Sequence, residues 1–416
     1  QFSRQGRVYW IAAIFLLVLS FLPGFPWYIL IPLGGILGYA GFRLSRKKAI
    51  EEERERYAEA AEGKAEAPAE ISPVVPLDPI SLELGYGLIP LVDKEQGAEL
   101  LDRITRIRRE SALELGLVVP RIRIIDNMRL EPSEYCFKIK GIEVGRGTLK
   151  TGYYLAINPG NVEEEIPGEK TKDPAFGLPA LWITEENRDR AEHAGYTVVD
   201  APSIIATHLT ELIKHHASEI LGRQEVQSIL DTLRTDYPAV VDEVKKLLGV
   251  GEIQKVLQGL LREQVSVRNM VVILETIADY AGISKDIGFL VEKARQGLGR
   301  QICLQYADDS KLLRVITINP ELEQRIIDSR METASGVVAA LEPNVHRSWI
   351  NALTNTLKSV QNQWEYPLIL CSEAARPLVK SSTVREIPDL VVLSIPEIAT
   401  GIQVESLGEI KLSEQG

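Results

Sequence analysis

Residues 8–42 carry no Asp, Glu, Lys or Arg in 35 consecutive positions, and this constrains the chain more than any other feature. The stretch reads VYWIAAIFLLVLSFL (8–22), then PGFP, then WYILIPLGGILGYAGF (27–42). A bilayer is crossed by about 20 apolar residues in a helix, so one span would leave apolar residues unused. The Pro23–Pro26 break divides the stretch into two shorter helices, which predicts a transmembrane helical hairpin over 1–44. Arg4 and Arg7 precede it, and Arg43, Arg46, Lys47 and Lys48 come after it. Basic flanks mark the cytoplasmic side, so both ends are expected there. Trp10 and Trp27 suit the membrane interface. A cleaved signal would instead show one short apolar core and a small-residue cleavage site. A start at Gln1 is expected of the C-terminal part of a longer protein.

RKKAIEEERERYAEAAEGKAEAPAE (46–70) has almost no large apolar side chains and cannot bury enough surface to fold alone. The prolines of ISPVVPLDP make the next stretch stiff and extended. Residues 45–78 therefore read as a tether. Beyond it the remaining length predicts two to four folded units. SLELGYGLIPLVD reads as strand and turn, and 94–115 as a helix stopped by Gly116. RIRIID and EYCFKIK alternate as half-buried strands, with a turn starting at Gly141. Residues 152–200 are strand- and loop-rich. DAPSIIATHLTELIKHHASEILG (200–222) reads as one helix, with Asp200 as its N-cap and Pro202 in its first turn. Helical periodicity dominates 223–300. From 301 onward RVITI, PLILC and DLVVLS alternate with helices at 321–331, 343–364 and 373–380, which predicts a second α/β unit. The expected class is α+β multidomain.

A net charge of −11 and sparse aromatics argue against nucleic acid as a ligand. Cys136, Cys303 and Cys371 are distant and odd in number, which fits a reducing compartment and buried thiols. There is no nucleotide-binding glycine loop, and GRGTLKTG (145–152) reads as a hairpin turn. His215 and His216 are adjacent and so diverge by about 100° on a helix. His216 falls on the stripe of Ile205, Leu209, Leu212, Ile213 and Ile220, as a core or core-edge residue. His193 and His346 have no partners in the sequence. Thr207, Glu211, Lys214 and Ser218 fall on the opposite, partner-accessible face. KDPAFGLPALWI (172–183) joins one carboxylate, Asp173, to an isolated Phe176 and an apolar run. By itself Phe176 reads as a core residue rather than as exposed surface. No catalytic, cofactor or metal site is expected.

Several segments together resemble the flagellar type III export-gate family. They are LELGYGLIPLVD (82–93), LLDRITRIRRESALELGLVVPRIRIIDNMRL (100–130), KIKGIEVGRG (138–147), LAINPG (155–160) and PGEKTKDPAFGLPALWI (167–183). GYTVVDAPSIIATHL (195–209), LGRQEVQSILD (221–231), KVLQGLLREQVSVRNMVVILETIAD (255–279), LGRQICLQY (298–306) and LVVLSIPEI (390–398) continue the match in order. The related injectisome gate shares the architecture, while DPAFGLPALWI and GRQEVQ look more like the flagellar branch.

The resemblance implies a bacterial inner-membrane, multi-pass protein with a large cytoplasmic domain assembled as a nonameric ring. It implies four subdomains: an RNA-recognition-like α/β unit (79–151 with 201–220), an inserted β-rich unit (152–200), a helical unit (221–300) and a C-terminal α/β unit (301–416). The implied partners are flagellar export chaperones with bound substrates, the export ATPase complex and its accessory proteins, and other membrane export-gate proteins. The implied chaperone site is a hydrophobic dimple between the first two units. Asp173, Phe176 and Thr207 occupy the matching positions, with Pro159, Val199 and Ile204 completing its apolar wall. Asp173 is expected to orient a donor on the chaperone. The alternatives are an injectisome gate and a membrane-tethered enzyme using 152–220 as its cleft.

Overall fold

Strict alternation in ISLEL and EYCFKI requires strands with one face turned inward, and those strands build the first sheet. The computed structural model describes residues 77–93, 99–160, 162–333, 336–360 and 368–412. The hairpin expected over 1–44 lies outside the described residues, as does the tether over 45–78 apart from its last two positions. Among the described residues no helix is long and apolar enough to cross a membrane.

The first sheet contains β1 (Ile80–Leu84), β2 (Ile122–Asp126), β3 (Glu134–Ile139) and β4 (Ile142–Thr148), in the order β2-β1-β3-β4. Helix α1 (Glu99–Glu114) joins the parallel pair β1 and β2, and it buries Leu100, Ile104 and Ile107 at helical spacing. The β3–β4 turn is made by Lys140 and Gly141, both with positive φ. Of the segment 145–152, expected as a hairpin turn, Gly145 and Gly147 lie inside β4, and the chain turns only at 150–153, where Gly152 has positive φ. A Cβ on Gly145 would come within 2.7 Å of Leu212, and one on Gly147 within 2.5 Å of the Tyr135 ring. Those glycines let neighbouring side chains lie directly on the strand.

The second sheet is wholly antiparallel. It contains β5 (Tyr154–Ile157), β6 (Glu169–Lys172), β7 (Pro179–Ile183) and β8 (Thr197–Val199), in the order β6-β7-β5-β8, with short helix α2 (Arg188–His193) before β8. Its two faces obey the period of two. Leu155, Ala180 and Trp182 join the main core, whereas Ala156 and Ile183 close a small core with Ile166, Ala191, Ala194 and Tyr196.

Asp200 then caps α3 (Ala201–His215), accepting from the Ser203 N–H at 2.9 Å. The single helix expected over 200–222 is broken at His216, and α4 (Ala217–Ile220) comes next. His216 is therefore a helix terminus paired with Glu219 at 2.9 Å. The core histidine of α3 is His208, only 5% exposed. Ser218, expected on the accessible face, is buried, and its carbonyl accepts from Gln258.

Helices α5 (Arg223–Asp236), α6 (Pro238–Leu247), α7 (Val250–Arg262), α8 (Met270–Ala281), α9 (Ile287–Gly297) and α10 (Gly299–Tyr306) form a helical array. Glu225 and Glu252 reach back to the Gly222 and Gly249 N–H groups at the starts of α5 and α7. These contacts satisfy donors that a helix start leaves free.

The chain continues through β9 (Leu312–Ile318), α11 (Pro320–Asp328), the hairpin β10 (Arg330–Thr333) and β11 (Gly336–Ala339), and α12 (Pro343–Val360). It ends with β12 (Leu368–Cys371), α13 (Arg376–Thr383), β13 (Val391–Ser394) and β14 (Gln403–Ile410). A parallel sheet runs β13-β12-β9-β14.

Buried charge ties this sheet to the helical array. Arg376, 1% exposed, holds Glu263 through two contacts of 2.7 and 3.1 Å and also pairs with Glu292. Arg295 reaches Glu397 at 2.7 Å and Glu263 at 3.0 Å. Burial alone would raise the Glu263 carboxyl, but Arg376 and Arg295 beside it bring it down to about 2.

Candidate functional site

Six residues separate β6 from β7, and their local hydrogen bonds set the direction of Phe176. The Asp173 N–H donates to the Leu178 carbonyl at 2.9 Å, and the Gly177 N–H donates to the Asp173 carbonyl at 2.9 Å. The Asp173 carboxylate accepts from the Phe176 N–H at 2.7 Å. Gly177 takes the positive φ (69°) that lets the chain turn back. The result is a knuckle on which Phe176 is 56% exposed and Leu178 is 39% exposed, with Pro179 beside them. Phe176, Leu178 and Pro179 thus expose adjacent apolar side chains on one turn.

Asp173, which the resemblance implies would orient a donor on a chaperone, lies below the surface. It is 4% exposed, so its carboxylate faces inward and not toward a partner. It lies in the electrostatic neighbourhood of Tyr135 on β3 and His208 on α3. Tyr135 and His208 are themselves joined, Oη to Nδ1, at 2.9 Å. Both rings pack edge-to-face with each other and with Phe137. Burial, with a further push from Asp173, raises the Tyr135 phenol above its ordinary value, so it stays protonated beside the His208 Nδ1.

The other expected wall residues sit at different depths. Pro159 is exposed, one residue beyond Asn158, whose N–H donates to the Pro179 carbonyl at 2.9 Å. This bond brings the 158–160 loop against the base of the Phe176 knuckle. Val199 is half-buried on β8, paired in register with Leu155. Ile204 is 2% exposed and belongs to the core shared by Leu155, Ala180 and Trp182. Thr207 is exposed on α3 next to His208. Asp173 and Ile204 are thus supports beneath the surface, while Phe176, Thr207 and Pro159 are surface residues. Lys214, expected on the partner-accessible face, is half-buried and paired with Glu114 at 3.1 Å.

Sequence reasoning passes over Tyr135 and His208. The signal is present for both: His208 stands at helical spacing with Ile204 and Ile205, and Tyr135 falls in an alternating strand. Burial lowers the His208 imidazole below its ordinary value, and the neighbouring Asp173 carboxylate offsets part of this. The unfolded chain therefore binds this proton more readily than the folded one, and the neutral ring's contribution is lost as pH falls below about 6.5. Urea denaturation at a series of pH values is expected to show wild type losing stability faster between about pH 6.5 and 5 than His208→Gln. Parallel curves would contradict this assignment.

Comparison with known proteins places the chain among others. A family model described as the FHIPEP family matches residues 1–403. The flagellar biosynthesis protein FlhA of Borreliella burgdorferi is 51% identical over 100% of this chain and 59% of its own length. The chain thus spans about three fifths of that curated relative. Among solved structures, the Chlamydia pneumoniae CdsV protein is similar with a TM-score of 0.73 and 25% identity, covering 81% of this chain and 99% of that one. The complex of CdsV with CdsO from the same organism matches with a TM-score of 0.72 and 25% identity, over 83% of this chain and 100% of that one.

Proposed function

Because the chain belongs to the FHIPEP family, we propose that it is the membrane-tethered docking platform of a flagellar type III export gate. In this reading a hairpin over 1–44 anchors it in the inner membrane, and 45–78 tethers the body. The body comprises units at 79–151 with 201–220, 152–200, 221–300 and 301–416, and nine copies form a ring. It is not an enzyme. It receives export chaperones with their bound substrates and contacts the export ATPase complex, its accessory proteins and the other gate proteins. The flagellar branch is favoured because a flagellar biosynthesis protein is 51% identical to the chain over its whole length. The solved complex of CdsV with CdsO supports partner binding on this fold.

The observation that carries the docking role is the exposure of Phe176 on its hydrogen-bonded turn, against whose base the Asn158 N–H holds the loop bearing Pro159. Burying part of one ring contributes about 1–3 kcal/mol, enough for a reversible contact. Aromatic anchors of this kind carry a large share of an interface's binding energy. Phe176→Ala is expected to weaken binding of a cognate flagellar chaperone–filament protein complex by about 10-fold or more, with the melting temperature unchanged. Titration calorimetry with the full chain checks this, and an unchanged affinity would remove the docking role.

A further inference from the structure

We infer that Asp173 is a positioning residue, which fixes Phe176 and Leu178 outward from inside the turn, so that the partner received there offers apolar side chains and no cation. The inference rests on the docking role proposed above and refines the chemistry of its partner.

Three observations support it. The Asp173 carboxylate is sealed, at 4% exposure, and spends one oxygen on the Phe176 N–H at 2.7 Å. Its backbone N–H and carbonyl close the same turn through Leu178 and Gly177. All three groups of this residue therefore act on the loop that carries the ring, and the side chain is turned away from an incoming protein. Asp173 is also the sole charged residue between 173 and 183, so the exposed part of the knuckle (Phe176, Gly177, Leu178 and Pro179) is uncharged. The charge adjoining it in the chain is Lys172, exposed on β6, which repels a cationic partner. An acceptor placed beneath an apolar tip organises the tip before the partner arrives and reduces the ordering cost of binding.

A carboxylate that met a partner's cation would behave differently from one that holds a turn. The two roles separate on replacement by asparagine, which keeps an acceptor oxygen for the Phe176 N–H and removes the charge. Affinities of full-length wild type, Asp173→Asn, Asp173→Ala and Phe176→Ala are measured by calorimetry for a cognate flagellar chaperone–filament protein complex. Each is measured at low and at high salt, about 50 and about 500 mM NaCl, to vary the screening of charge contacts. The expected result is Asp173→Asn within about 3-fold of wild type at both salt concentrations, since no charge contact is lost. Asp173→Ala is expected to weaken binding about 10-fold, because the turn loses its internal acceptor. Equal melting temperatures for wild type and Asp173→Asn show that the comparison is of folded proteins. Asp173→Asn binding as weakly as Asp173→Ala, with a gap from wild type that narrows in high salt, would overturn the positioning role and leave the docking role standing. Phe176→Ala binding as well as wild type would overturn both.

Discussion

Arg376→Met is expected to destabilise the folded chain by about 3–5 kcal/mol, the largest effect of any single substitution considered. The guanidinium lies 1% exposed at the start of α13, between Glu263 at the end of α7 and Glu292 on α9. Removing it leaves two largely buried carboxylates, 19% and 14% exposed, facing each other, with Arg295 the remaining hydrogen-bonded cation on Glu263. A buried charge without its partner costs far more than the pair contributes, because the solvation lost on burial is no longer offset. Glu263, now held ionised down to a pH of about 2, would lose the neighbour that most opposes its burial. The same reasoning predicts partial recovery in Arg376→Met/Glu292→Met, where both members of one pair become apolar. Urea denaturation followed by circular dichroism measures both variants. A loss below about 1 kcal/mol for the single variant would show that the network contributes little, as exposed pairs do.

Gly116→Ala is expected to cost about 2–5 kcal/mol, from two causes acting at one atom. Gly116 ends α1 with φ at +73°, a conformation costly for any residue with a Cβ. A Cβ built there would stand 2.3 Å from the Arg268 nitrogen and 2.7 Å from the Val267 carbonyl carbon. Those atoms are backbone and cannot rotate away. They belong to the segment between α7 and α8, which hydrogen-bonds to the end of α1 through Val267 N–H to the Leu115 carbonyl at 2.9 Å. Ser266 Oγ adds a contact to the Glu114 carbonyl at 2.6 Å. The glycine is therefore both a helix stop and the place where the helical array crosses α1. Thermal unfolding checks the prediction, and a melting temperature within about 1–2 °C of wild type would contradict it.

Much of this is legible in the sequence wherever one local cause decides the outcome. Gly116 ends α1, Asp200 caps α3, and EYCFKI forms a strand, each because spacing and residue type point the same way. The sequence is silent where the cause lies far along the chain. GRG looks like a turn because nothing nearby in sequence shows that Tyr135 and Leu212 lie on those glycines. Strand β14 escapes a reading by pattern because an edge strand such as QVESLGEI is mostly exposed and polar, with one glycine, and lacks the apolar run that marks β9, β12 and β13. The break at His216 interrupts an apolar periodicity that continues to Ile220 on both sides of it.

The candidate site divides along the same line. Phe176 stands alone in its loop and reads from the residues alone as core, yet it is exposed, because its direction depends on the fold around it. Asp173 is a partner contact only by the resemblance, which carries no direction for its carboxylate. Its inward direction comes from the turn hydrogen bonds and from Tyr135 and His208 arriving beneath it. Neither is visible from KDPAFGLPALWI alone.

Oxidative footprinting of side chains in the full-length protein, with and without a saturating cognate chaperone–filament protein complex, tests the docking role most directly. Labelling of Phe176 and Leu178 is expected to fall several-fold on complex formation, while Ile283, 75% exposed in the helical array, is labelled as before. A bound complex that leaves Phe176 labelled as in the free protein would contradict the docking role.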